Sequence, residues 1–203
     1  MAERSPVFLL DFRDTAGCYE RVADWLMRGA NAPDHPFHWF GLATVTDRGE
    51  PDARTVILRG FVAEEHCLAF HTDYRAPKVE QLRAHPRVSL LFYDAEARLQ
   101  VRAEADVTLH HEDGKAAAAW GSAHDGSRAL YAVSHESGEV IDADDPVTPP
   151  PPPAMDDDAA FAHFVVAACD LRSLDVLELC SGGQRRVRFT WPRGELMMER
   201  LAP

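Results

Sequence analysis

Ala53-Arg-Thr-Val-Ile-Leu-Arg59 is the stretch on which the fold turns, a short run of strand-forming residues with a guanidinium at each end. Thr55, Val56, Ile57 and Leu58 have the composition of a strand buried on both faces, where a fixed charge is stable only beside a partner. On a regular strand Arg54 and Arg59 face opposite ways about 17 Å apart, so they cannot share one small anion. Two readings follow. The arginines are surface charges flanking a core strand, or they grip the two ends of an extended anionic ligand, which requires a twist or bulge between them.

Working outward, Ala69-Phe-His-Thr-Asp-Tyr-Arg-Ala-Pro-Lys-Val-Glu-Gln-Leu82 reads as a short strand followed by a helix. Pro77 suits the first helical position, which makes Ala76 the N-cap, puts Lys78 in the first turn and lets Pro86 end the helix after His85. Alanine is a poor cap, and cations at Arg75 and Lys78 oppose the helix dipole. A phosphate monoester resolves both conflicts: helix N–H groups, Lys78, Arg75 and the Thr72 hydroxyl together suit such a group.

The flanking sequence sets the fold class. Trp39–Thr46 and Asp52–Phe61 read as a hairpin turned at Asp47-Arg-Gly-Glu50, followed by strands at Cys67–Thr72, Arg87–Tyr93 and Arg98–Leu109. Further strands are expected at Phe164–Cys169, Ser173–Leu179, Arg185–Trp191 and Glu195–Leu201, with turns at Ser181-Gly-Gly-Gln184 and Pro192-Arg-Gly194. Strands without long intervening helices mean an antiparallel sheet, here a barrel or sandwich. Helices are expected at Thr15–Arg28, ended by Gly29, at His111–Trp120 and at Ser127–Ala132. Between about 138 and 160, Pro149–Pro153 is flanked by Asp142-Ala-Asp-Asp145 and Asp156-Asp-Asp158, a solvated excursion that reads as a spacer or lid edge rather than a docking tag.

Bulk properties exclude several functions. The 203 residues fit a single domain, 1–203, and a composition of 46% hydrophobic and 27% charged residues is that of a soluble globular chain. A formal net charge of −12 opposes a nucleic-acid backbone or an anionic membrane as the main partner, while leaving room for a small anion in a local basic pocket. Val7-Phe-Leu-Leu10, closed by Asp11, is too short for a signal peptide, and no run spans a membrane, so the cytoplasm is expected. Cys18, Cys67, Cys169 and Cys180 are far apart and read as thiols rather than a disulfide framework or zinc set. His35 and His38 lack metal-ligand spacing, and no metal is expected.

The collinear order Leu-Ala-Thr-Val-Thr-Asp-Arg-Gly-Glu-Pro, Ala-Arg-Thr-Val-Ile-Leu-Arg, Phe-His-Thr-Asp, Pro-Lys, Pro-Arg-Val-Ser-Leu-Leu-Phe and Gln100-Val-Arg, with a tail from Gly182-Gly-Gln-Arg-Arg-Val-Arg-Phe189 to Pro203, resembles the pyridoxamine 5′-phosphate oxidase family, and the middle of the chain resembles its uncharacterised oxidase-related branch. The resemblance implies a mainly β, α+β fold, an antiparallel FMN-binding split β-barrel with flanking helices, and a homodimer with FMN at the subunit interface. It implies that Arg54, Thr72 and Lys78 hold the FMN phosphate, with Arg75 as a further contact, and that main-chain groups of Thr55, Val56, Ile57 and Leu58 line the ring. Arg59 stands where the vitamin B6 enzyme has lysine, and His71 where tyrosine is common. Gln100 is expected to reach the flavin from the second subunit, since an amide both donates and accepts. Glu136, in place of glutamine, and Ser137 occupy a cofactor-contacting pair, and Arg188 lies beside the ring.

On the substrate side the resemblance implies Ser127, Arg128 and Arg186, but it also shows losses. Ala119 and Ala123 stand where the B6 enzyme has the tyrosine and arginine that bind substrate phosphate, Arg186-Val-Arg188 lacks a histidine, and Cys180 replaces a tryptophan. The expected function is an FMN-dependent oxidoreductase acting on an unidentified small molecule. The alternatives are a true pyridoxamine/pyridoxine 5′-phosphate oxidase and a non-enzymatic FMN-binding protein. No catalytic residue is assigned.

Overall fold

The computed structural model describes residues 10–11, 13–144, 158–180 and 183–203, without the side chains of Asp158 and Cys180. The proline tract and the first part of the Ser181–Gln184 turn lie outside the described residues.

The chain opens with α1 (Thr15–Asn31), whose first turn is capped by Asp14 accepting from the Gly17 N–H at 2.9 Å. Its buried side, Cys18, Val22, Ala23 and Leu26, packs on the barrel. Gly29 does not end this helix. It lies inside it, where a Cβ would come within 2.8 Å of the Phe37 backbone, so the absence of a side chain serves close packing rather than a left-handed cap. The helix runs on to Asn31 and Pro33 follows its cap, Ala32.

Nine strands follow in one sheet: β1 (Trp39–Val45), β2 (Pro51–Ile57), β3 (Gly60–Val62), β4 (Cys67–Asp73), β5 (Arg87–Asp94), β6 (Leu99–His111), β7 (Phe164–Cys180), β8 (Gly183–Thr190) and β9 (Met197–Leu201). Every pairing is antiparallel, in the order β2-β1-β5-β6-β7-β4-β3, with β8 and β9 branching from β7. Because β2 and β3 are one continuous piece of chain, the path closes on itself and forms a barrel. Closure occurs at Leu58-Arg59: the Leu58 N–H donates to the His38 carbonyl and the Arg59 N–H to the Ala69 carbonyl, so the backbone passes from β1 to β4 there. The single strand expected over Asp52–Phe61 is therefore broken into β2 and β3, which stand at the two ends of the strand order and are joined through the backbone at Leu58-Arg59.

Burial on both faces is not found in β2. Thr55 is exposed and Ile57 half-buried on the outer side, while Val56 and Leu58 enter the core, because nothing among the described residues covers the outer surface of β2 at Thr55. In the other direction, the strands expected at Phe164–Cys169 and Ser173–Leu179 are one strand. β7 pairs β4 with its first half and β8 with its second, and an extra residue in β7, Arg172, opposite the Glu104–Ala105 step of β6, absorbs the bend.

The core is aromatic and aliphatic, with Phe40 stacked on Phe92 at 4.8 Å and Phe37 against Phe92 at 5.2 Å. α2 (Pro77–Ala84) buries Val79 and Leu82. The alanine-rich segment starts later than its composition suggests: β6 continues to His111, and Asp113, accepting from the Ala116 N–H at 2.9 Å, caps α3 (Gly114–Ser122). With α4 (Asp125–Ala129) and α5 (Asp158–Phe161), α3 covers a second core of Trp120, Tyr131, Phe164 and Val166.

Candidate functional site

Three of the residues expected at an anion converge. Arg54 lies on β2 opposite Leu42, Thr72 is buried on β4, and Lys78 stands in the first turn of α2. The Lys78 Nζ donates to the Thr72 hydroxyl at 3.1 Å. The Arg54 guanidinium donates to Thr44 at 2.6 Å, to the Gln81 side-chain oxygen at 3.0 Å and to the Asp52 carboxylate. Gln81 in turn donates to Asp52 at 2.9 Å, and that bond, with the Arg54 charge, outweighs burial and holds the Asp52 carboxyl below its usual range. Thr44, Asp52 and Gln81 are thus a supporting shell that sequence reading missed. Only the pairing register of β1 with β2 and the packing of α2 reveal it.

Lys78 has no ion pair among the described residues, and burial followed by the Arg54 charge lowers its pKa. Two like charges held together beside a helix start whose N-cap, Ala76, makes no side-chain hydrogen bond suit a dianionic phosphate, which would relieve the repulsion and accept from the helix end. The donor set therefore fits the phosphate of a flavin nucleotide. Arg75 is differently placed: it donates to Asp73 through two nitrogens at 3.0 and 2.6 Å and to the Val133 carbonyl at 3.0 Å, tying the segment after α4 to the barrel. Glu136 and Ser137 are exposed on that segment, and Glu136 lies within electrostatic reach of Arg75.

A second group lines a cleft of about 160 Å³: Arg59 and His71 on one side, Ala119, Ser122, Ala123, His124 and Ser127 on the other. This brings together Arg59, His71, Ser127 and the two alanines of the substrate-side expectation. His71 packs edge-on against Phe164 at 4.8 Å, and burial, with the Arg59 charge, lowers its pKa to about 4, so its ring is neutral at pH 7. Arg128 is not in this cleft. It is buried, donates to the Ala123 carbonyl at 2.8 Å and to Asp125 at 2.6 Å, and lies over the Trp120 ring, so it braces α3 and α4.

The third group lies on the outer face of the sheet, away from Arg54. Gln100 alternates with the core residues Leu99 and Val101 and faces outward beside Leu177 of β7. Nearby, Asp175 accepts from Arg186 at 2.9 and 2.8 Å, from Arg102 at 3.1 Å and from Arg188 at 3.4 Å. Burial by itself raises the Asp175 carboxyl, but the Arg186 and Arg102 guanidinium groups outweigh it and the net shift is downward. One carboxylate thus organises three cations, a cluster hidden in the sequence because Arg102 and Asp175 are 73 residues apart. Asp175→Asn is expected to lower the melting temperature at pH 7 by about 5 °C in a thermal scan, since it removes the one charge that offsets three.

The motif order, the closed barrel and the phosphate-type cluster point the same way as a comparison with known families. Residues 24–111 match the family model described as pyridoxamine 5′-phosphate oxidase, FMN-binding domain. Those residues belong to that family. A pyridoxine/pyridoxamine 5′-phosphate oxidase of Rubrobacter xylanophilus is 49% identical over 63 residues, 31% of this chain and 28% of the relative. One from Rhodopseudomonas palustris (strain TIE-1) is 31% identical over 98 residues, 48% of this chain and 45% of the relative. The matches thus span less than half the length of these curated relatives.

Among solved structures, a pyridoxamine 5′-phosphate oxidase-related, FMN binding protein from Nostoc punctiforme PCC 73102 superposes with a TM-score of 0.77 at 26% identity, covering 91% of this chain and 96% of that one. PhzG from Burkholderia lata 383 shares the fold, with a TM-score of 0.73 at 18% identity over 97% of this chain and 99% of its own. The fold is that of the FMN-binding split barrels, mixed α and β around a mostly antiparallel sheet. Among the described residues, no helix is long and apolar enough to cross a membrane, and no group of three or more His, Cys, Asp or Glu residues is placed to hold a metal.

Proposed function

We propose that this oxidase-family chain binds FMN and acts as an oxidoreductase on a small organic molecule. The observation that carries the reading is the half-buried Lys78, held beside Arg54 and Thr72 at the start of α2 with no anion paired to it among the described residues. Arg54, Thr72 and Lys78 would hold the phosphate, and Arg59 and His71, on the neighbouring parts of the barrel, would face the reacting end. When bound, the flavin supplies the electron-transfer chemistry. The chain contributes position, a fixed positive charge from Arg59 and a neutral imidazole at His71 able to donate one hydrogen bond and accept another.

Gln100, Arg186 and Arg188 face away from Arg54 and Lys78, on the other side of the sheet. A second copy of the chain presenting that face is the arrangement that would bring both groups to one cofactor. Exposed Trp39, Leu91 and Tyr93 on the same outer surface supply apolar area for such a contact. The test is the visible absorption of the purified protein, together with titration of flavin-free protein with FMN. Yellow colour with about one FMN per chain supports the reading, and failure to bind FMN at micromolar concentration overturns it.

The relatives named pyridoxine/pyridoxamine 5′-phosphate oxidase suggest a substrate, but the cleft argues against it. Ala119 and Ala123 add no charge to the wall that Arg59 faces. Each missing charge-assisted hydrogen bond is worth about 1.5–3 kcal/mol. Pyridoxamine 5′-phosphate turnover by the FMN-loaded protein is therefore expected to be at least 100-fold below that of an Ala123→Arg variant, measured as kcat/KM for pyridoxal phosphate formation.

A further inference from the structure

The cleft between Arg59 and α3–α4 carries a statement about charge. Among the described residues, Arg59 has no ion pair or side-chain hydrogen bond, and neither ring nitrogen of His71 has a hydrogen-bond partner. Both side chains line the same small cavity, opposite Ala119, Ala123 and Ser127. The other arginines in this part of the fold are committed: Arg75 to Asp73, and Arg128 to Asp125 and the Ala123 carbonyl. The cavity is therefore lined by one permanent positive charge, the His71 ring with no hydrogen-bond partner among the described residues, the His124 ring, the Ser122 and Ser127 hydroxyls and alanine methyls.

We propose that this cleft binds the carboxylate of a small organic monoanion, with Arg59 as its ionic partner and His71 and Ser127 as its hydrogen-bonding neighbours. The inference rests on the flavin reading above in placing the reacting end of the molecule beside this cleft. A guanidinium presents two parallel N–H groups at the spacing of the two oxygens of a carboxylate, and one cation balances one anion. A phosphate monoester, carrying about 1.5 to 2 negative charges at neutral pH, would leave unbalanced charge in a small, partly apolar cavity, at a cost in affinity. About 160 Å³ accommodates a carboxylate and part of the ring or chain that carries it.

Benzoate and phenyl phosphate, which share a ring and differ in the anionic group, separate the possibilities by calorimetric titration of the protein as purified, with flavin content measured on the same samples. Benzoate is expected to bind at least tenfold tighter than phenyl phosphate. Arg59→Gln should weaken benzoate at least tenfold, with part of the affinity restored in Arg59→Lys, and Ala123→Arg should move the preference toward phenyl phosphate. Equal or tighter binding of phenyl phosphate to the unaltered protein, or benzoate binding indifferent to Arg59, overturns the proposal. Yellow protein that does not bind benzoate overturns it while leaving the cofactor reading intact. Benzoate bound through Arg59 in a protein that takes no FMN supports it and removes the cofactor reading instead.

Discussion

Replacing both Arg54 and Lys78 by alanine is expected to yield a colourless protein that binds FMN 10²- to 10⁴-fold more weakly than the unaltered chain, measured by quenching of flavin fluorescence. Two charge-assisted hydrogen bonds to a phosphate, each worth about 1.5–3 kcal/mol, give that range. The two positions differ in what else they do. Arg54 also neutralises Asp52 and anchors Gln81 and Thr44, so its loss disturbs the barrel end as well as the anion. Among the described residues the Lys78 ammonium hydrogen-bonds only to the Thr72 hydroxyl, and burial and the Arg54 charge already disfavour it. Lys78→Met alone should therefore leave folding intact, or slightly strengthen it, while weakening FMN about tenfold or more. Full flavin content in the double variant would refute the phosphate assignment.

Acid sensitivity between pH 6.5 and pH 4 is the second large effect expected. His71 falls from 6.5 to about 4 on folding, through burial first and the Arg59 charge second. In that window the unfolded chain holds a proton at this ring that the folded chain does not, so stability is fully present above pH 6.5 and declines as the pH drops toward 4. A shift of this size amounts to about 3 kcal/mol by pH 4. Burial lowers His35 and His66 in the same direction, so the His71 share must be isolated by substitution. Urea unfolding of His71→Gln should lose less stability between pH 7 and pH 4 than the unaltered protein by about that amount. An identical pH dependence in both proteins would show that His71 is not held neutral. Carboxylates such as Asp52 and Asp175, lowered on folding, weaken the fold only as the pH falls through a more acidic range, so they leave the upper part of this window to the histidines.

Local chemistry alone made much of the site legible. Pro77 after Ala76 marked the start of α2, and Lys78 in its first turn was legible as a cation in an unfavourable place that an anion would repair. The strands expected at Arg87–Tyr93 and Arg98–Leu109 are found as β5 and β6, because strand-forming composition is a property of neighbouring residues. Gly29 misled for the opposite reason. A glycine near the end of an apolar helical pattern usually marks a cap, but here its missing side chain admits Phe37, and that contact exists only once α1 has folded back over the following turn.

The sequence by itself determined an antiparallel sheet, barrel or sandwich, a net acidic chain and a basic strand-to-helix junction, since composition, periodicity and turn chemistry act over a few residues. The tertiary structure decided the partners of each charge. Asp52 and Gln81 took up Arg54, Asp73 took up Arg75, Asp125 took up Arg128, and Asp175 gathered three arginines from β6 and β8. Arg59 and Lys78 were left without a counter-ion among the described residues. An ion pair depends on approach to within a few ångströms, which strand register and helix packing set between residues distant in the chain. Which cation remains to bind a ligand is therefore a property of the closed barrel.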